Sequence, residues 1–161
     1  MLEHLIQCHD LGVIGYADAL SIQKKALDII RTDDKHPDCF YLLEHLPVFT
    51  LGKNGGRENL LKKKAFLQQQ NIGVVKTERG GNITYHGPGQ LVGYPVFNLE
   101  RLKMGIKTFV WLLEEVMIRT IADLGVTGTR NDINHGIWVG KQKVGSIGLA
   151  VKQQITMHGF A

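Results

Sequence analysis

The sequence predicts an α+β domain built on a mixed or antiparallel sheet. Three observations carry that expectation. Segments of strand length outnumber helical ones, several strands follow one another across tight turns, and only two long stretches repeat apolar residues at helical spacing. The 161 residues have the length of one domain and contain no linker, repeat or low-complexity segment.

Taken in order, Leu2 to Cys8 reads as a strand. Tyr16 to Ile30 reads as a helix, with Tyr16, Ala19, Leu20, Gln23, Ala26, Leu27 and Ile30 on one face. Cys39 to Glu44 and Val48 to Leu51 are strands on either side of Pro47, and Gly52 to Gly56 is a turn. Asn59 is expected to cap a short helix reaching Gln70. Val74 to Thr77 and Asn82 to Tyr85 follow as strands. Leu91 to Phe97 is strand-like, with Pro95 placing it at a sheet edge or at the strand's end. The clearest helix runs from Thr108 to Leu124: Phe109, Leu112, Leu113, Val116, Met117, Thr120, Ile121 and Leu124 share a face, and Gly125 stops it. Ile137 to Val139 and Lys143 to Val151 form a hairpin across Gly140-Lys141-Gln142, and Ile155 to Met157 begins a last strand.

Composition narrows the function classes. Hydrophobic residues make up 43% and charged residues 21%, enough apolar material for a core and too much for a disordered chain. No apolar run approaches the ~20 residues of a membrane span, and the N-terminus lacks the pattern of a secretory signal. A cytoplasmic protein without membrane contact is expected. Lys and Arg number 19 against 15 Asp and Glu, a formal charge of +4. Lys62-Lys63-Lys64 is the only basic run and the remaining excess reads as scattered, which suits an acidic protein partner better than a nucleic acid. Cys8 and Cys39 are too few for a disulfide framework and read as reduced, buried strand thiols; no Cys/His spacing suggests a metal.

Nineteen glycines are more than a chain of this length ordinarily carries at ~7%. They frame the segments with chemical content. Between Gly80-Gly81 and Gly87-Pro88-Gly89 sit Arg79, Asn82, Ile83, Thr84, Tyr85 and His86, a cluster of donors with one imidazole between two backbone hinges. Lys143 opens a strand followed by Gly145-Ser146-Ile147-Gly148, whose small residues can floor an apolar ligand or simply allow close packing. His158 precedes Gly159-Phe160-Ala161, and His45 sits in Leu43-Glu44-His45-Leu46-Pro47.

Three blocks together resemble the octanoyltransferases of lipoate synthesis. They are Arg79-Gly80-Gly81-Asn82-Ile83-Thr84-Tyr85-His86-Gly87-Pro88-Gly89-Gln90-Leu91-Val92; Leu43 to Gly52; and Gly136-Ile137-Trp138-Val139 through Lys143-Val144-Gly145-Ser146-Ile147-Gly148 to Thr156-Met157-His158-Gly159-Phe160-Ala161. The resemblance spans essentially the whole chain. It implies a fold similar to the biotin and lipoate protein ligase catalytic domain, and octanoyl transfer from acyl carrier protein to a lysine of lipoyl domains of 2-oxoacid dehydrogenases or of the glycine-cleavage H protein. It implies no cofactor, a monomer and a cysteine acyl-enzyme. Lys143 matches the lysine that lowers the cysteine's pKa. Arg79 to His86, Ser146-Ile147-Gly148 and Gly159-Phe160-Ala161 match substrate-binding segments, and His45, His86 and His158 match site-lining histidines.

In that family the nucleophilic cysteine lies downstream of the His-Gly-x-Ala block. Neither Cys8 nor Cys39 occupies its position, so the resemblance implies a catalytic domain truncated before its nucleophile and inactive alone. Two other readings stay open: an ATP-dependent lipoate or biotin ligase, and a non-catalytic module that binds an acyl group or its carrier.

Overall fold

The computed structural model describes residues 5–131 and 134–161. A six-stranded mixed sheet, a three-stranded mixed sheet and three α-helices make up the α+β architecture that the sequence predicts. Strand β1 (Ile6–Ile14) pairs in parallel with β2 (Asp38–His45), and helix α1 (Tyr16–Thr32) makes the crossover between them. The sheet continues through β6 (Val92–Val96), β9 (Ile155–Phe160), β8 (Gln142–Lys152) and β7 (Gly136–Val139). In the smaller sheet β3 (Val48–Leu51) lies between β4 (Gly73–Lys76) and β5 (Ile83–His86).

The two long helices cover opposite faces of the large sheet. Helix α1 buries Ala19, Ala26, Leu27 and Ile30 against Leu43, Val92, Val96, Ala150 and Met157. Helix α3 (Ile106–Asp123) brings Phe109 and Leu113 onto Ile147, Leu149, Val151 and Phe160. Ala150 and its neighbours Leu149 and Val151 thus serve two different cores, as the alternation of side chains along a strand requires. Burying a side chain such as Ile30 contributes about 1.5–3 kcal/mol.

Four expectations are revised. The first strand covers Ile6–Ile14 rather than Leu2–Cys8, whose first residues fall outside the described ones; Gly12, at φ +58, sits within an irregularity of the pairing. The short helix α2 occupies only Lys64–Gln69. Asn59 does not cap it: its amide donates to Asn82 Oδ1 at 2.9 Å, and Lys62 and Lys63, cations ahead of a helix N-terminus, oppose the dipole. The face predicted for α3 is too wide, since Val116 and Leu124 are exposed, although Gly125 at φ +79 ends the helix as expected.

Pro95 is the fourth, and in part only. It sits one residue from the end of β6, as expected, but β6 is no edge strand: it is central, fully buried between β2 and β9. A proline there removes a ladder hydrogen bond, and β9 is shaped around the loss. A Cβ at position 159 would run into the Gly93 carbonyl and lie 2.7 Å from Pro95 Cδ, so only glycine fits there. Thr156 replaces the missing bond: its hydroxyl donates to the Pro95 carbonyl at 2.7 Å and accepts the Phe97 N–H at 3.0 Å. One residue before Gly159, His158 takes a left-handed conformation at φ +58, which disfavours a branched side chain and costs on the order of 1–3 kcal/mol.

Candidate functional site

The start of α1, the small sheet and three strands of the large sheet converge on one open cleft, whose roughly 380 Å³ of empty space merges with solvent at its mouth. Its floor comes from the small-residue segments of β8 and β9: Ser146, Ile147 and Gly148 on one strand, Gly159, Phe160 and Ala161 on and after the other. The two strands are joined there by Ser146 and Ala161, whose backbone groups exchange hydrogen bonds at 2.7 and 3.0 Å. Arg79, Thr84, His86 and His158 supply polar walls.

These residues are ten of the sequence-predicted set. Gly80, Gly81, Asn82, Ile83 and Tyr85 do not line the cleft. Thr84 and His86 face it, so strand alternation turns Ile83 and Tyr85 away; Tyr85 packs on Phe49, with ring centroids 5.0 Å apart and the planes tilted by 54°. The Gly80 carbonyl accepts Arg79 Nη1 at 2.9 Å, and the Arg79, Gly81 and Asn82 carbonyls accept the backbone N–H groups of Lys53, Asn54 and Gly52. His45 is fully buried behind the wall, its ring 5.5 Å from that of His86. Tyr16, Thr50 and Tyr94 also line the cleft. Sequence reasoning missed them as site residues because each lies in an apolar segment and reads as core; the available signal was a hydroxyl in an otherwise apolar run.

Arg79 dominates the electrostatics. It is buried, and its guanidinium is held by neutral oxygens: Nε and Nη2 donate to Thr50 Oγ1 at 3.1 and 2.8 Å, and Nη2 also donates to the Thr50 carbonyl at 2.7 Å. Among the described residues no carboxylate pairs with it. With the bond to Gly80, four of its five N–H groups are used, leaving one Nη1 donor uncommitted. Burial lowers its pKa, partly countered by Tyr16 and Tyr94, but a guanidinium stays charged. Gly148 keeps the space beside it open, since a Cβ there would lie 3.0 Å from Arg79 Cδ.

The three histidines at and behind the cleft wall are neutral. Burial pushes His86 and His158 down to about 4, with the Arg79 charge adding to the shift of each, and burial also lowers His45. His86 Nδ1–H donates to Gln90 Oε1 at 2.6 Å, an amide orientation fixed by Gln90 Nε2 donating to the Tyr85 carbonyl. His86 Nε2 is therefore a bare acceptor, 3.5 Å from the Thr50 hydroxyl. His45 Nδ1–H donates to the Ile14 carbonyl at 3.0 Å, and its Nε2 accepts the Tyr94 hydroxyl at 2.7 Å. Burial raises Tyr94 above the ordinary phenol value and Tyr16 to about 12, so both remain hydrogen-bond donors at neutral pH. The strained backbone of His158 is secured by Gln23, whose Oε1 accepts its N–H at 2.7 Å.

Lys143 stands outside the lining, three residues before Ser146 on β8. Its amine donates to Asn134 Oδ1 at 3.0 Å and lies 5.6 Å from the Trp138 ring centroid. Partial burial lowers its pKa, and the Glu114 carboxylate opposes the shift. Glu114, buried on α3, accepts the Gly136 N–H at 2.9 Å and pairs with Arg130 at 3.4 Å. Neither thiol lies at the cleft: Cys39 is buried in β2, whereas Cys8, expected to be buried, is exposed on edge strand β1. Among the described residues no group of three His, Cys, Asp or Glu side chains is placed to hold a metal ion.

The fold is shared with lipoate–protein ligase catalytic domains. It superimposes with a TM-score of 0.72 on the structure of lipoate-protein ligase A bound with ATP, at 16% identity, covering 99% of this chain and 66% of that one. An archaeal bi-partite lipoate protein ligase, described with its E2 lipoyl domain from Thermoplasma acidophilum, gives the same score at 15% identity, covering 96% of this chain and 59% of that one. Residues 15–161 match the family model of the lipoyl protein ligase A/B catalytic domain. The octanoyltransferase of Desulfotalea psychrophila is 48% identical over 154 residues, 94% of this chain and 69% of that protein. The chain belongs to this catalytic-domain family and, within it, to the octanoyltransferases, which are acyltransferase enzymes.

Proposed function

We propose that this domain binds the octanoyl group of octanoyl-acyl carrier protein for transfer to a lysine of a lipoyl domain, in 2-oxoacid dehydrogenases or the glycine-cleavage H protein. The observation that carries the reading is the cleft itself. An apolar floor of small residues ends at a buried guanidinium that has one free donor and no carboxylate partner. That combination suits an acyl chain whose carbonyl oxygen gains negative charge during transfer, because a preorganised donor in a water-poor site stabilises such charge.

The chemistry divides into two transfers. A thiolate adds to the thioester carbonyl, and the carrier's thiolate leaves as the acyl-enzyme forms. The acceptor lysine amine then adds to that new thioester, the enzyme thiolate leaves, and the ammonium proton passes to a base. Lys143 fits both tasks: as a cation it favours a neighbouring thiolate, and its partial burial makes the neutral amine more accessible. Neither Cys8 nor Cys39 lies at the cleft, so neither is placed to be that thiol. We assign the reaction to the cytoplasm, with a monomeric enzyme and no cofactor; among the described residues no helix is long and apolar enough to cross a membrane.

The test is octanoyl transfer from octanoyl-acyl carrier protein to a lipoyl domain by the full gene product without ATP, read by intact mass. The acceptor is expected to gain one octanoyl group, while the 161 residues alone gain none. An adduct on Cys8 or Cys39, or an absolute requirement for ATP, overturns the reading.

A further inference from the structure

The chain's positive charge is not spread over its surface. Residues 53–64 carry Lys53, Arg57, Lys62, Lys63 and Lys64 against Glu58 alone, a net charge of +4. This equals the formal charge of the whole chain, so the other residues hold fourteen basic and fourteen acidic side chains. The excess that reads as scattered is thus one patch, and all five of its cations are exposed.

Local stability does not account for the patch. None of the five cations pairs with a carboxylate among the described residues. Lys62 and Lys63 precede the N-terminus of α2 and Lys64 opens it, where positive charge opposes the helix dipole. Beside them Leu61 is 93% exposed, a large apolar side chain with no internal role. The stretch is nevertheless fixed to the cleft wall. The backbone of Gly52, Lys53 and Asn54 is hydrogen-bonded to residues 79–82, the turn that supplies Arg79, and Asn59 is bonded to Asn82.

We propose that residues 53–64 form the docking surface for an acidic acyl-donor carrier protein, with Leu61 as the apolar contact inside a ring of cations. The proposal rests on the octanoyl-transfer reading above. Charge complementarity selects an acidic partner and speeds its encounter. Geometry selects the donor over the acceptor. None of residues 53–64 lines the cleft: the stretch flanks the wall, and helix α2 leads into β4, the strand beside β3, which carries the cleft-lining Thr50. A carrier that delivers its acyl group on a long flexible thioester arm spans that offset. An acceptor reaching in with one lysine side chain must sit on the cleft mouth instead. A net charge of four, with Phe66 as its one neighbouring aromatic and Lys62 already 5.3 Å above that ring, offers no stacking platform for nucleic acid.

The test is binding of the acidic carrier protein, with and without its octanoyl group, by fluorescence anisotropy between 50 and 300 mM salt. Charge reversal of Arg57, Lys62, Lys63 and Lys64 to Glu is expected to weaken carrier binding at least tenfold at low salt and flatten its salt dependence. Leu61→Ser is expected to weaken it severalfold at every salt concentration. Reversal of Lys24 and Lys25, exposed on α1, is expected to change nothing. Unchanged carrier binding in the quadruple variant overturns the proposal. So does an equal loss in the Lys24/Lys25 variant, a loss confined to lipoyl-domain binding, or tighter patch-dependent binding of single-stranded DNA or phosphatidylglycerol vesicles. Carrier binding requires no turnover, so patch-dependent binding without transfer sustains the docking surface while the octanoyl-transfer reading fails.

Discussion

The Arg79 wall and the Lys143 corner each hold a partly desolvated cation, yet they are built in opposite ways. Arg79 is buried among neutral oxygens, beside imidazoles held uncharged and phenols held protonated. Lys143 is half-exposed on the outer hairpin, with a buried carboxylate opposing its loss of charge. An uncompensated buried cation is costly unless something anionic shares its site. The wall is therefore shaped for a ligand that brings or develops negative charge. The corner suits a group that must exist in two protonation states. Under the proposed function the two regions divide into a binding end and a proton-handling end, which separate variants can perturb.

The largest effect expected is at the wall. Arg79→Met removes four charge-assisted hydrogen bonds and strands the Thr50 carbonyl, the Thr50 hydroxyl and the Gly80 carbonyl. A hydrogen bond to a charged group is worth about 1.5–3 kcal/mol. Octanoate affinity is expected to fall on the order of 100-fold by calorimetry, with a loss of about 2–4 kcal/mol in denaturant stability. Arg79→Lys keeps the charge without the planar fork and should lie between. Octanoate binding that survives Arg79→Met would leave the wall with no function in recognition.

The difference between the regions also explains what was legible in sequence. Helix α1 was read with its buried face intact, because Ala19, Gln23, Ala26, Leu27 and Ile30 follow one period and face one sheet. The floor and Arg79 were legible through the resemblance of their glycine-rich blocks to the octanoyltransferases, since the glycines alone leave turns and close packing as open readings. Pro95 misled because its compensation lies about sixty residues away, in the Thr156 hydroxyl and Gly159. Tyr16, Thr50 and Tyr94 were invisible as site residues for the same reason: three separate elements deliver them to one cleft, and no local spacing encodes that meeting. Cys8 reads as a buried strand thiol, but β1 is an edge strand whose side chains are mostly exposed.

A middle-sized effect is expected from the neutral histidines of the wall. Unfolded, His86 and His158 titrate near 6.5; folded, they do so at about 4. Between those values the unfolded chain binds more protons, so stability rises with pH. Their contribution is fully present above about pH 6.5 and is lost as pH falls toward 4. By pH 4 the loss is on the order of 7 kcal/mol for the two together, since one pKa unit corresponds to about 1.4 kcal/mol. Urea midpoints at pH 7.5, 6 and 5 should decline accordingly. His158→Asn, which also tolerates the left-handed backbone at φ +58, should flatten the decline by about half. An unchanged slope in that variant would mean that the imidazole titrates alike in the folded and the unfolded chain.

The smallest effect expected lies at the corner, and it is the sharpest test of separability. Lys143→Met keeps the aliphatic stem and removes one hydrogen bond, to Asn134. The side chain is half-exposed, so the stability change should stay within about 0.5 kcal/mol. Octanoate affinity should be unchanged, because the amine lines no part of the cleft. The whole effect should appear in the rate of octanoyl transfer by the full gene product, with kcat falling and carrier affinity retained. A parallel fall in octanoate affinity would show that the lysine and the guanidinium act on one bound group, and the division between a binding end and a proton-handling end would not hold.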